Sequence, residues 1–272
     1  MMRSLWTAAS GMITQQTNVD TISNNLANIN TTGYKKETAE FKTLLYQTIQ
    51  ETMTDSEGNI KPTAAQVGLG VRNSGVTSRF TQGTLNNTDN PTDFAIMGNG
   101  FFMIQMPDGS VGYTRSGAFQ LALHSEGVAL ADSSGNTVLD SYGSPIIIDP
   151  TVYNVSKISV DESGNIGFPD QTNNVQLIGV RIGVAQFMNP AGLEKTSGSM
   201  FKETAASGEA RLESLEPTLH ESVIKQKFIE ASNVQAVDEM VNLIVAQRAY
   251  EMNSKAITAS DTMLGQANNL RN

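Results

Sequence analysis

Residues 4–36 read "SLWTAASGMITQQTNVDTISNNLANINTTGYKK", and their spacing decides the architecture. Leu5, Ala8, Met12, Gln15, Val19, Ile22, Leu26 and Ile29 fall at alternating steps of three and four. That is an a/d heptad seam with one polar interruption, at Gln15. The spacing predicts a helix from about Ser4 to Thr31, on the order of 42 Å long at 1.5 Å per residue. Gly33 then stands where a left-handed C′ residue is wanted. Lys35 and Lys36 follow at the negative end of the helix dipole, where the chain is expected to leave the packed core and charge is tolerated again.

What surrounds the seam is unusual for a helix facing water. The g positions are Ser4, Gly11, Asn18, Asn25 and Thr32, and the c positions are Thr7, Thr14, Thr21 and Asn28. Between Arg3 and Tyr34 the only other charge is Asp20. A solvated helix normally carries Lys and Glu on its outer face, and Asn and Thr are mediocre helix formers, so propensity does not explain the choice. Interfaces deplete charge at their centre because an unpaired charge is costly to desolvate. The residues therefore predict a helix enclosed by other protein, with Asn18, Asn25 and Asn28 bonding between subunits. Head-to-tail contacts that do not close would build a helical filament or tube. On this reading Asn25→Lys leaves the β-rich part folded and blocks polymer growth.

At the other end, about Glu221 to Asn269 contains no Pro and only Gly265. Val234, Val241, Val245, Ala249, Met252, Ala256, Ala259, Met263 and Leu270 mark a second narrow apolar stripe. Two such stripes most simply bury each other as an antiparallel pair. Leu5, Met12, Val19, Ile22, Leu26 and Ile29 would supply the N-terminal seam, and Val241, Val245, Met252 and Met263 the matching one. Between about Val67 and Pro217 helical period is absent and turn signals recur. Asp108-Gly109 splits two apolar runs in "FAIMGNGFFMIQMPDGSVGYTRSGAFQL" (94–121) as a hairpin would. The expected fold class is α+β: long N- and C-terminal helices forming an antiparallel coiled-coil stem, with a central β-rich domain. Its boundaries are 1–36 for the first stem helix, 37–66 for a connecting segment with an extended polar loop, 67–217 for the β-rich domain and 218–272 for the second stem helix.

The chemistry in the sequence is sparse. Charged residues are 17% of the 272 and the net charge is −9, which leaves no basic stripe for nucleic acid or for anionic lipid. The absence of cysteine excludes disulfides, thiolate metal sites and cysteine nucleophiles. No apolar run reaches membrane-spanning length, and the first residues lack the apolar core of a cleaved signal peptide. His124 and His220 have no ligand-spaced partner. "GLG" (68–70) and "GNG" (98–100) each begin a G-x-G-x-x-G pattern, but Asn73 and Met103 stand where its last Gly belongs. Three similar turns, "DSEGN" (55–59), "DSSGN" (132–136) and "DESGN" (161–165), would need Glu at the twelfth position to be EF-hand calcium loops. Gln66, Gly143 and Thr172 stand there, so they read as hairpin turns. No catalytic, cofactor-binding or metal residue is predicted.

"SGMITQQTNVDTISNNLANINTTGYKK" (10–36), "GNGFF" (98–102) and "MVNLIVAQRAYEMNSKAI" (240–257) resemble, in this order, the signatures of the bacterial flagellar rod and hook family of axial proteins. The length and the polar insert around 50–63 are most similar to the distal-rod members, with proximal-rod and hook members as near alternatives. The resemblance implies a structural subunit without catalysis or cofactor, polymerising with itself into a drive shaft whose inner core is made of the terminal helices. It implies other flagellar rod and hook proteins as partners, surrounding bushing or ring proteins, and the flagellar type III export apparatus. No nucleic acid or small-molecule substrate is implied, and the location is the flagellar basal body in the cell envelope. The insert at about 50–63 is expected to stiffen the polymer. The competing class is a peptidoglycan-cleaving enzyme associated with the rod, which a zymogram would reveal.

Overall fold

A computed structural model describes residues 2–50, 65–124, 127–153, 155–169, 175–216 and 218–269. The chain forms two compact units. One contains residues 1–27, 37–78 and 235–272, and the other 28–36 and 79–234. The polypeptide therefore passes between them four times, after Ala27, Lys36, Ser78 and Val234. The polar insert, including "DSEGN", lies almost wholly outside the described residues.

The first unit is built on two helices, α1 (Met2–Ala27) and α2 (Ala236–Asn269). They run antiparallel. The Ser4 and Ser260 hydroxyls are bonded at 3.2 Å near one end, and Asn25 Nδ2 donates to Glu239 Oε2 at 3.2 Å near the other. Midway, a Cβ added to Gly11 would come 2.9 Å from Asn253 Nδ2, so the glycine admits that amide between the backbones. The threonines of α1 are satisfied inside their own helix. The hydroxyls of Thr7, Thr14, Thr17 and Thr21 donate to carbonyls four residues back, at 2.8–3.2 Å. Of the hydroxyl and amide surface that the sequence assigns to neighbours, this share is used locally.

Strands β1 (Glu37–Thr43), β2 (Tyr46–Gln50), β3 (Ala65–Gly68) and β4 (Val71–Ser78) complete the unit. β1 pairs antiparallel with β4, from Glu37 opposite Ser78 to Thr43 opposite Val71, with a bulge after Glu40. β2 pairs with β3, and Leu44 N–H to Gly70 O (2.9 Å) with Leu69 N–H to Leu45 O (3.2 Å) joins both pairs into one ribbon. The ribbon runs along α1, tied at Val71 N–H to Ser10 Oγ (3.3 Å) and at Glu37 to Asn25.

The helix boundaries differ from expectation for identifiable reasons. α1 stops at Ala27, and Asn28 to Asn30 form a turn. Gly33 is left-handed (φ 68°), but it does not cap α1, because its N–H donates to Glu230 O at 2.8 Å. A Cβ there would overlap the Ser116 nitrogen and come 2.6 Å from the Arg115 carbonyl carbon, so close backbone approach requires this glycine. α2 begins at Ala236 rather than near Glu221. Val223–Gln226 and Phe228–Glu230 are strands, in keeping with the strand preference of Val, Ile and Phe. Asp238 and Glu239 occupy the first turn of α2, where the helix dipole favours negative charge.

The second unit is mainly antiparallel sheet. Of its strands, β5 (Leu85–Asn87) pairs with Phe228–Glu230 and β6 (Phe94–Met97) with Val223–Gln226. β7 (Phe101–Gln105) and β8 (Val111–Thr114) form the expected hairpin across Asp108-Gly109. They lie centrally in a six-stranded sheet ordered 194–196, 200–202, β8, β7, 184–186, 211–212. Both faces of β7 are buried, which is why it reads as an uninterrupted apolar run. Phe102 and Ile104 join a cluster with Phe94, Phe119, Leu130 and Ile166. Phe101 and Met103 join one with Tyr113, Phe187 and Phe201, where edge-on ring pairs stand 4.8–6.0 Å apart.

The hairpin turn carries a titratable signature. Asp108 accepts from the Ser110 hydroxyl (2.5 Å) and N–H (2.9 Å) and from Lys202 (3.3 Å). The Ser110 bonds, then Lys202, hold its carboxyl down to about 2. A depressed folded value means that the turn's contribution is complete above the ordinary 3.8 and is lost as pH falls through about 2. Following the Asp108 carboxyl by NMR during an acid titration should give that midpoint. A midpoint at the ordinary value would mean these bonds are not held in solution.

Candidate functional site

Asn25 is 1% exposed, and its amide is engaged within the chain. Nδ2 donates to Glu37 O at 2.8 Å and to Glu239 Oε2 at 3.2 Å, while Oδ1 accepts Glu37 N–H at 2.8 Å. One side chain thus joins α1, β1 and α2. The expectation that Asn25 bonds between subunits is corrected accordingly, and the physical reason is that one carboxamide matches both the N–H and the C=O of Glu37 at the start of β1. Asn18 is half-buried, with Nδ2 3.5 Å from Gln15 Oε1, and Asn28 accepts the Thr31 hydroxyl at 3.1 Å.

The structure places the N-terminal seam as follows. Leu5, Met12, Val19 and Leu26 are half-buried and Ile22 is buried, while Ile29 lies beyond the end of α1. Val19 lines a groove with Gln16, Gln247, Tyr250 and Glu251. On α2 the side turned to α1 carries Glu239, Leu243, Ala246, Asn253, Ile257 and Ser260, the least exposed positions of the helix along that line. Val241, Val245, Met252 and Met263 are each more than half exposed. At about 3.6 residues per turn they fall on the far side, so within the subunit they do not face α1. With Val237, Met240 and Ile244, also more than half exposed, they leave α2 a long uncovered apolar face. Trp6 and Ile13 are similarly exposed on α1.

In the second unit the surprise is Lys35, which the sequence reading places at the exit from the core. It is 3% exposed. Its Nζ donates to Glu230 Oε1 at 2.6 Å and to Thr81 O at 2.9 Å. Glu230 also accepts Gly83 N–H at 2.8 Å and Arg115 at 3.4 Å, and Arg115 donates to Gly98 O at 2.6 Å. Burial pulls the pKa of both Lys35 and Arg115 down, against the attraction of Glu230. Beside this cluster Asn233 accepts Lys36 N–H at 2.7 Å and donates to Arg79 O at 2.8 Å and Thr81 O at 3.1 Å. Lys35, Glu230 and Asn233 therefore bind together the three segments of this unit nearest its chain crossings. Sequence reasoning missed the cluster because its members are far apart in the chain; the only local signal was a lysine two residues after a glycine, where a charge-poor segment ends.

The two described turns of this kind, 132–136 and 161–165, use their aspartates internally. Asp132 accepts from Ser134 N–H (2.6 Å) and from the Asn136 amide (3.2 Å), and Asp161 repeats the pattern with Ser163 (2.8 Å) and Asn165 (3.0 Å). Both carboxylates organise their own turns. Among the described residues no group of three or more His, Asp or Glu side chains is arranged to hold a metal, and no helix is long and apolar enough to cross a membrane.

Three family models match the chain. Residues 5–35 match "Flagella basal body rod protein", 95–168 match "Flagellar hook protein FlgE/F/G D1 domain", and 225–270 match "Flagellar basal body rod FlgEFG protein C-terminal". The flagellar basal-body rod protein FlgG of Borreliella burgdorferi is 44% identical, covering 100% of this chain and 99% of its own length. That of Caulobacter vibrioides is 43% identical over 99% and 100%. The flagellar hook-basal body complex protein FlhP of Bacillus subtilis is 32% identical over the whole of both chains.

Proposed function

The chain belongs to the flagellar basal-body rod protein family, and from that premise we propose that it is the structural subunit of the distal rod, a self-assembling tube that carries motor torque to the hook. The observation that carries the assembly reading is the uncovered apolar face of α2. Val237, Val241, Ile244 and Val245 expose more of their surface than they bury, an arrangement that marks a contact surface. Copies of the same subunit cover it, and non-closing head-to-tail contact yields a helical polymer. In this reading α1 and α2 make a coiled-coil stem and the strand-rich unit a head. The work is mechanical rather than catalytic. Rod and hook proteins adjoin the polymer at its ends, ring or bushing proteins surround it, and the flagellar type III apparatus exports the subunit. Residues 50–63 stiffen the tube.

The full-length similarity to FlhP supports, as the second reading, another position along the rod–hook axis. Electron microscopy of the purified chain after polymerisation separates the two: a straight tube is expected, and a curved one would favour a hook member. Trp6 is the sole tryptophan and is exposed, so its emission should shift to the blue as polymer forms. A chain that stays monomeric, or that clears peptidoglycan in a zymogram, would overturn the structural assignment.

A further inference from the structure

Asn99-Gly100 is the only Asn-Gly pair in the chain. It is not the hairpin turn that such a pair often makes, because β6 and β7 on either side belong to different sheets. Asparagine followed by glycine is the most labile dipeptide toward deamidation, since no side chain obstructs the attacking nitrogen. The Gly100 backbone nitrogen loses its proton and bonds to Asn99 Cγ, and the side-chain nitrogen leaves as ammonia. Water then opens the resulting succinimide to an aspartyl or isoaspartyl residue. Asn99 is exposed to that water.

The fold leaves no substitute for the glycine of this pair. A Cβ on Gly100 would overlap Val184 Cγ1 and come 2.6 Å from Glu213 Oε1 and 2.9 Å from Ser222 Oγ. Gly98, at φ 139°, is pressed against the same serine. The reacting nitrogen, however, is sealed. Gly100 is buried, and its N–H donates to Ser222 Oγ at 3.1 Å. Ser222 Oγ donates to Glu213 Oε1 at 2.7 Å, and Ser222 N–H to Glu213 Oε2 at 2.7 Å. Gln186 Nε2 also donates to Glu213 Oε1 at 2.7 Å. The serine hydroxyl is therefore committed as a donor to a buried carboxylate, and its lone pair is presented to Gly100.

We infer that Asn99-Gly100 is a latent deamidation site, held closed in the folded protein by the Ser222–Glu213 pair and opened whenever this unit unfolds. Attack requires the Gly100 N–H to break its bond and the nitrogen to turn out of the cradle toward Cγ. A chain modified while unfolded carries a new carboxylate, and in the isoaspartyl form also an extra backbone carbon, next to the Gly98 carbonyl that Arg115 binds. It would refold poorly.

The test is peptide mapping by mass spectrometry of the full chain aged at neutral pH, native and in urea. Native protein is expected to deamidate at position 99 more than tenfold more slowly than urea-unfolded protein, since both sealing and folding oppose the reaction. Folded Ser222→Ala should react about fivefold faster than the native wild type, the equivalent of one hydrogen bond of roughly 1 kcal/mol at 1.4 kcal/mol per decade. Ser222→Thr, which keeps the hydroxyl, should restore the slow rate. Equal rates for native and unfolded wild type would overturn the inference, as would a folded Ser222→Ala that ages like wild type. Should that variant not fold, hydrogen exchange on the wild type decides the matter: a Gly100 amide exchanging like an unprotected one overturns the closed site, and a protected one supports it.

Discussion

Replacing Glu230 with glutamine is expected to destabilise the strand-rich unit by about 3–5 kcal/mol, the cost of leaving buried charge without its partner. Shape is kept and the carboxylate charge is lost. Lys35 Nζ at 2.6 Å and Arg115 at 3.4 Å then face a neutral amide in a site closed to water. Glu213, the other carboxylate that Arg115 feels, is already engaged by Ser222 and Gln186. Lys35→Met should cost less, because Glu230 would keep Arg115 and the Gly83 N–H.

The pH dependence separates buried charge from a lost hydrogen bond. Lys35 already has a folded pKa below its ordinary value, through burial, and the glutamine variant lowers it further. Between the folded and unfolded values the unfolded chain binds more protons, so stability rises with pH through that window. The deficit of Glu230→Gln should therefore shrink as the pH is raised from neutral toward the ordinary lysine range. Urea unfolding of the full chain at several pH values measures it. A deficit that does not change with pH would mean that hydrogen bonding, not charge, dominates.

The second large effect concerns assembly. Val241→Lys together with Val245→Lys places two charges one helical turn apart on the exposed face of α2. The isolated subunit should scarcely notice, since exposed substitutions usually stay within about 0.5 kcal/mol each and the mutual repulsion adds a few tenths. A polymer contact that buried both charges unpaired would lose several kcal/mol for each. The expected result is an unchanged circular-dichroism melt and no polymer by sedimentation. A normal polymer from this variant would remove the face from the contact. Asn25→Lys is the instructive contrast: its amide serves Glu37 and Glu239 within the chain, so its first effect is on the unit itself and not on growth.

Much of the helical architecture was legible because helix and strand impose different periods on apolar residues. The spacing of Leu5 through Leu26 announced α1, and Asp108-Gly109 announced the β7–β8 hairpin. The start of α2 was misplaced because "VIKQKFIE" (223–230) has no helical signature of its own, and pairing with β5 and β6 made it strand. The choice of face on α2 was not legible either. Apolar residues recur on more than one side of that helix, and a small or polar line of Glu239, Ala246, Asn253 and Ser260 won the contact with α1. Small side chains let the helices approach closely, and Glu239 and Ser260 meet Asn25 and Ser4 across the gap.

The sequence by itself determined the class of the protein: two long helices, the first nearly free of charge, bracketing a strand-rich middle. Those properties depend on composition and period, which are local. Only the tertiary structure decided which asparagine is structural, which glycine is irreplaceable and which lysine is inside. Asn25 meets Glu37 and Glu239, Gly33 meets Arg115 and Ser116, and Lys35 meets Glu230 across 195 residues of chain. Hydrogen bonds and ion pairs act over a few ångströms in space, and the distance between their members along the sequence leaves no periodic trace.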